Sequence, residues 1–229
     1  MVFVHGVRTS SAIWTEQVAE MTRAGHHCVT VDLPGHGSRA DERFTLESAH
    51  AAIDEAVEAC ATPPLLVGMS LGGYSSLSYA ARSQHKLAGV LLAGCSTEVR
   101  GKPLSVYRHL AARAVRAFRP SASASWHVVT DMLHALRGHS FLRDLRLVHL
   151  PVWLVNGARD PLRLDERRFV AAHPAARLTV VPRAGHDVNL HAPLEFNRLL
   201  GEAVRALRHP HVPSALRPQH AHRTAAAVL

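Results

Sequence analysis

The chain has 229 residues, 47% of them hydrophobic and 19% charged, which suits one substantial core and is short for two large domains. Its net charge of +8 raises nucleic acid as a partner, but the arginines are scattered over amphipathic segments with neither aromatic interleaving nor a reader motif, so none is expected. No apolar run is long enough to cross a bilayer, and three distant cysteines without a CxxC spacing argue against a zinc or redox site. Met1–Gly6 carries no positive leader and no small-residue cleavage site, so a cytoplasmic chain is expected, with Cys28, Cys60 and Cys95 as small buried hydrophobes.

Short apolar runs predict strands at Val2–Val4, His27–Val31, Leu65–Val67, Leu87–Leu92, Val152–Asn156 and Leu178–Val181. Helical spacing falls between most of them. From Ser10, the positions Ile13, Trp14, Val18 and Met21 recur on one face, and Gly25 stands where a C′ residue would. Thr45 is an N-cap for a helix that turns Leu46, Ala49, Ile53, Val57 and Cys60 inward. Pro193 opens a last helix with Phe196, Leu199, Leu200, Val204 and Leu207 on its apolar face. Strand–helix alternation of this kind predicts an α/β fold with a doubly wound, mostly parallel sheet.

Residues 94–148 interrupt the alternation. Pro103–Phe118 and Ser123–Leu136 read as helices, which predicts a small helical cap over the carboxyl edge of the sheet, with Trp126 and Met132 as candidate pocket walls. The core is then 1–93 with 149–208. From His209 onward the chain is rich in Pro and His and loses its periodicity, so 209–229 is expected to be disordered. His209, His211, His220 and His222 lack carboxylate or thiolate partners, and no metal site is expected there.

Gly68-Met69-Ser70-Leu71-Gly72 follows the run Leu65–Val67 and precedes a helical segment. In that setting a serine occupies a cramped strand-to-helix turn with its hydroxyl raised above the sheet. A serine needs a base, and His186 follows the last strand in Ala184-Gly185-His186-Asp187. The imidazole needs a carboxylate, and Asp160 follows the fifth strand in Gly157-Ala158-Arg159-Asp160. Asp187 and Glu98 are the competing acids. Adjacent residues in a turn point apart, which favours Asp160 over Asp187. Two backbone N–H groups should form an oxyanion hole, that of Leu71 after the nucleophile and that of Val7 after the first strand. Asp32 and His36 read as a turn held by local hydrogen bonds, and His5 as a brace for the oxyanion loop.

Taken together, His5-Gly6 with Trp14, Asp32-Leu33-Pro34-Gly35-His36-Gly37-Ser38, the Ser70 pentapeptide, Asn156-Gly157-Ala158-Arg159-Asp160 and Gly185-His186 resemble the motifs of the α/β-hydrolase superfamily, in its order and over most of the chain. The resemblance implies that a carboxylic ester or lactone is hydrolysed through an acyl-enzyme, with no cofactor, as in small bacterial esterases and lactonases. An acyltransferase, thioesterase or C–C hydrolase could use the same triad, and a non-catalytic ligand-binding relative could keep it. Family members usually have two strands before the His-Gly strand. Their lack here leaves two expectations: a chain that starts further upstream than Met1, or a shortened sheet whose edge is the His27–Val31 strand.

Overall fold

The computed structural model describes residues 1–101 and 127–208. The expected helix Pro103–Phe118, Trp126 and the 209–229 tail lie outside the described residues. Six strands form one parallel sheet: β1 (Val2–Val4), β2 (Val29–Val31), β3 (Leu65–Met69), β4 (Gly89–Ala93), β5 (Val152–Gly157) and β6 (Arg177–Val181). Their spatial order is β2-β1-β3-β4-β5-β6. Val4 pairs with Val31 on one side and Gly68 on the other, so β1 lies between the first crossover and the second. The order of connection reverses between β1 and β3, and ligands of open α/β sheets bind at the carboxyl ends beside such a reversal.

Every residue of β1, β3, β4 and β5 is buried, which is why these strands read as continuous apolar runs rather than alternating ones. Successive side chains still face opposite ways. Val2, Val4, Leu66, Val90, Leu92 and Leu154 enter one core, and Phe3, Leu65, Val67, Leu91, Ala93 and Val155 enter the other. Helices α2 (Leu46–Glu58) and α3 (Leu71–Ser83) supply the first core, and α1 (Thr15–Arg23) contributes Met21 to the second. Strand β2 starts at Val29, two residues later than the periodicity predicts, and it is the sheet's edge.

Local signals explain the helix ends. Thr45 accepts the N–H of Ser48 while Ser48 Oγ accepts that of Thr45, a reciprocal cap at the start of α2. Gly25 follows α1 at φ +82°, a left-handed stop.

The expected cap divides in two. Helix α4 (Val128–Arg137) lies over the cavity described below, and α5 (Phe141–Leu147) does not. Phe141, Leu142 and Leu145 are buried in the first core, where α5 packs against α3 and α6 (Glu166–Ala172). The Tyr74 and Phe141 rings pack at 4.6 Å between centroids, tilted by 50°. Seven residues make about two turns, too few for the periodicity that would have marked α5 as core. The short α7 (Val188–His191) leads into α8 (Pro193–Arg208), which begins at Pro193 as its fixed φ favours.

Candidate active site

Ser70 stands between the last residue of β3 and the first of α3, at φ 52° and ψ −114°. A non-glycine residue holds such a conformation only where its surroundings impose it. Here the Ser70 N–H donates to Ala93 O at 2.8 Å, and the turn is clamped by close backbone approach. A Cβ on Gly72 would lie 2.2 Å from Val4 O, and one on Gly68 would lie 2.5 Å from Gly72 O. Only glycine lets β1, β3 and α3 meet this closely.

The loops after β5 and β6 bring the other two residues to Ser70. Ser70 Oγ lies 2.9 Å from His186 Nε2, and His186 Nδ1 lies 2.9 Å from Asp160 Oδ2. Asp160 is buried, and its second oxygen accepts the Leu162 N–H at 2.7 Å. With Nδ1–H donating to the carboxylate, Nε2 is left bare to accept the serine proton. Burial lowers the affinity of His186 for a proton, but the hydrogen bond and charge of Asp160, helped by Asp187, outweigh it and raise the imidazole above its ordinary value.

The competing acids stand elsewhere. Glu98 Oε2 accepts the Leu142 N–H at 2.8 Å and ties the loop after β4 to α5. Asp187 makes no bond to the His186 ring in the relay, which Asp160 and Ser70 occupy at both nitrogens.

Val7 and Leu71 both border the space in front of Ser70. Leu71 is the first residue of α3, so its N–H has no partner within the helix. The Gly6–Val7 peptide is fixed from behind. Gly6 O accepts His5 Nδ1–H and Thr9 Oγ–H, each at 2.7 Å. The described chain has no cis peptide, and a trans unit points its N–H opposite to its carbonyl. Holding Gly6 O therefore aims the Val7 N–H the other way. His5 Nε2 in turn accepts the Leu33 N–H at 3.0 Å. Burial, the neighbouring His36, and only partial compensation from Gly6 and Asp32 bring His5 down to about 4, so it is neutral in this role.

The Asp32–Ser38 turn does more than hold itself. Asp32 accepts N–H groups of Ser38 at 2.9 Å and Ser11 at 2.7 Å, and His36 Nε2 accepts the Arg8 N–H at 3.0 Å. Burial alone would raise the Asp32 carboxyl, yet the bonds from Ser38 and Ser11 bring it to about 2. Thr9 and the His36–Arg8 bond are supports that the sequence pattern did not single out.

A cavity of about 120 Å³ opens at Ser70. Its walls include Ile13, Val99, Leu162 and Leu190, and Val129, Met132, Leu133 and Leu136 from α4. Thr97, also on the wall, has its backbone satisfied by Tyr74, whose hydroxyl donates to Thr97 O at 2.7 Å. The helix α4 is tethered through Asp131, which receives Arg43 Nε at 2.6 Å and lies 3.1 Å from His127 Nδ1.

An alpha/beta hydrolase sheet with a serine after β3, an aspartate after β5 and a histidine after β6 is the class this geometry defines. The family model described as "Alpha/beta hydrolase family" matches residues 1–199, and the chain belongs to that family. It is similar to "Probable esterase PIR7A" of Oryza sativa subsp. indica, 38% identical over 100 residues that span 41% of this chain and 38% of that protein. It is also similar, at 25% identity over 93% of this chain and 94% of the other, to "Putative carbamate hydrolase RutD" of Enterobacter cloacae subsp. cloacae. The bromoperoxidase of Bacillus anthracis shares the fold with a TM-score of 0.74 at 20% identity, covering 89% of this chain and 91% of its own. Among the described residues no helix is long and apolar enough to cross a membrane.

Proposed function

We propose that the protein is a serine hydrolase that cleaves a small carboxylic ester or lactone through an acyl-enzyme. The unbroken relay from Ser70 Oγ to His186 Nε2 and from His186 Nδ1 to Asp160, at 2.9 Å for each link, carries this reading. His186 takes the hydroxyl proton as Ser70 attacks the carbonyl, and Asp160 stabilises the imidazolium that forms. The Val7 and Leu71 N–H groups receive the oxyanion. His186 then returns the proton to the leaving alkoxide, and water repeats the sequence to release the acid. The cap residues of α4 form the apolar wall against which the acyl group lies. The esterase among the chain's relatives supports the reaction class.

The test is labelling by a fluorophosphonate together with hydrolysis of p-nitrophenyl butyrate. Ser70→Ala should abolish labelling and lower kcat on the order of 10³-fold or more. Undiminished hydrolysis by Ser70→Ala would remove Ser70 from the mechanism.

A further inference from the structure

Asp187 follows His186 directly and lines the same cavity, yet the Ser70 relay does not use its side chain. The residue is only 8% exposed, and its Oδ2 is sealed from solvent with no hydrogen-bond partner. Of the donors on the cavity wall, the hydroxyls of Thr9, Tyr74 and Thr97 are committed to Gly6 O, Thr97 O and Leu162 O, and none bonds Asp187 Oδ2. Burial pushes the Asp187 carboxyl up, against the opposing pull of His186 and His191. A carboxylate withdrawn from water without compensation is strongly disfavoured, and a ligand that brings a donor to the part of Asp187 still open to the cavity restores some of what burial removed.

We propose that Asp187 is a specificity-determining residue that accepts a hydrogen bond from an N–H or O–H group carried by the substrate near its scissile carbonyl. The substrate is then a compact, otherwise apolar ester or lactone with a hydroxyl or amino substituent. Compactness follows from the cavity of about 120 Å³, since apolar cavities of roughly 150 Å³ hold a benzene ring. Nearness to the carbonyl follows from the cavity itself, since Ser70 and Asp187 line the same space of about 120 Å³. A site built around such an acceptor disfavours the analogue that lacks the donor, because the acceptor is then buried unpaired. This inference rests on Ser70 being the nucleophile.

The experiment compares methyl butanoate with its 2- and 3-hydroxy and 2- and 3-amino derivatives on wild type, Asp187→Asn and Asp187→Ala. Substituents change the intrinsic reactivity of the ester, so the readout is kcat/KM for the substituted over the plain ester, divided by the same ratio in Asp187→Ala. The expected value for at least one donor-bearing ester is on the order of 10- to 100-fold, the range of a hydrogen bond to a charged group. Asp187→Asn keeps an amide oxygen, so it retains part of a preference for a hydroxyl and loses one that depends on an ammonium charge. Values near one for all four substituted esters overturn the proposal. So does a loss shared equally by all five esters with a displaced pH profile, which would make Asp187 a support of His186 alone. Fluorophosphonate labelling runs in parallel. Labelling of wild-type Ser70 without a donor preference sinks this inference only, whereas folded wild type that neither labels nor hydrolyses any ester sinks the Ser70 reading as well. Should Asp187→Ala fail to fold, Asp187→Leu, which keeps a branched γ-carbon without a polar atom, takes its place in the ratio.

Discussion

The imidazole of His36 receives the backbone N–H of Arg8 across 3.0 Å, and Arg8 sits at φ 61°. An ordinary side chain at that φ is strained, and the bond to His36 is one of the forces that keep it there. Arg8 follows Val7, so release of this bond frees the loop that aims the oxyanion donor. His36→Phe, which fills the space without an acceptor, should lower kcat about tenfold while KM changes little, because the oxyanion develops only in the transition state. Steady-state kinetics on p-nitrophenyl butyrate measure this. An unchanged kcat would show that the loop holds itself.

Thr9 allows a finer cut at the same loop. Its hydroxyl donates to Gly6 O at 2.7 Å beside His5. Thr9→Ser keeps the donor and should keep kcat, whereas Thr9→Val removes it and should cost roughly 5- to 13-fold, the worth of one hydrogen bond of about 1–1.5 kcal/mol. Equal rates for the two variants would deny Thr9 any positioning role.

The pH dependence of activity follows from His186. The base must be neutral to accept the Ser70 proton, and Asp160 and Asp187 raise its affinity for a proton above the ordinary value of 6.5 despite burial. The kcat/KM profile should therefore climb through an apparent pKa above 6.5 and level off at higher pH. In Asp160→Asn the opposing charge is gone, so the rise moves to lower pH while the plateau falls on the order of 10⁴-fold. A rise at the same pH in both proteins would mean that Asp160 does not set the charge on His186.

Stability should also fall in acid, but through groups whose proton affinity is lowered rather than raised. His5 is lowered by burial from 6.5 to about 4 in the folded chain. Between those values the unfolded chain binds the extra proton and the folded chain does not, so stability falls as pH drops from about 6.5 to about 4 and this contribution is constant below. The full shift corresponds to on the order of 3 kcal/mol. His36 and His50 are lowered by burial too and add to the slope, whereas the raised His186 partly offsets it. Urea midpoints from pH 7 to pH 4 should show a decline that is shallower in His5→Gln. Parallel curves would mean that His5 is neutral in neither state or both.

Much of the site was legible because its residues sit where strands end. Ser70, Asp160 and His186 each follow an apolar run that the periodicity places within two residues, and backbone turns fix the rest. The Thr45 cap was legible for the same reason, since its partner Ser48 is only three residues away. The supports of the oxyanion loop were not. His36 and Arg8 are 28 residues apart, and nothing in the turn that contains His36 points toward its partner. Helix α5, of seven residues, is too short to show a face, so the stretch after β4 read as one cap when part of it closes the core. Of the four α4 residues on the cavity wall, only Met132 stood out, because an apolar helix face does not announce which side lines a pocket and which packs.

The glycine at 72 sets how far the core can be altered before the site fails. A methyl group there would meet Val4 O at 2.2 Å and His5 O at 2.5 Å, both backbone atoms that cannot turn aside. Gly72→Ala must therefore push α3 away from β1, opening the first core and dragging the His5–Val7 loop from Leu71. Overpacking of this kind costs about 1–3 kcal/mol, and here the upper end is expected because backbone rather than side chain must move. Gly138, which follows α4, is the matched control. It has φ −79° and nothing within 4 Å of an added Cβ, so Gly138→Ala should be neutral or stabilise by up to about 1 kcal/mol through the unfolded chain. Urea unfolding of both variants, with fluorophosphonate labelling of each, tests the pair. A Gly72→Ala protein as stable and as readily labelled as wild type would show that the elbow tolerates the displacement, and the contact between β1 and α3 would then not be what holds Ser70 against the oxyanion loop.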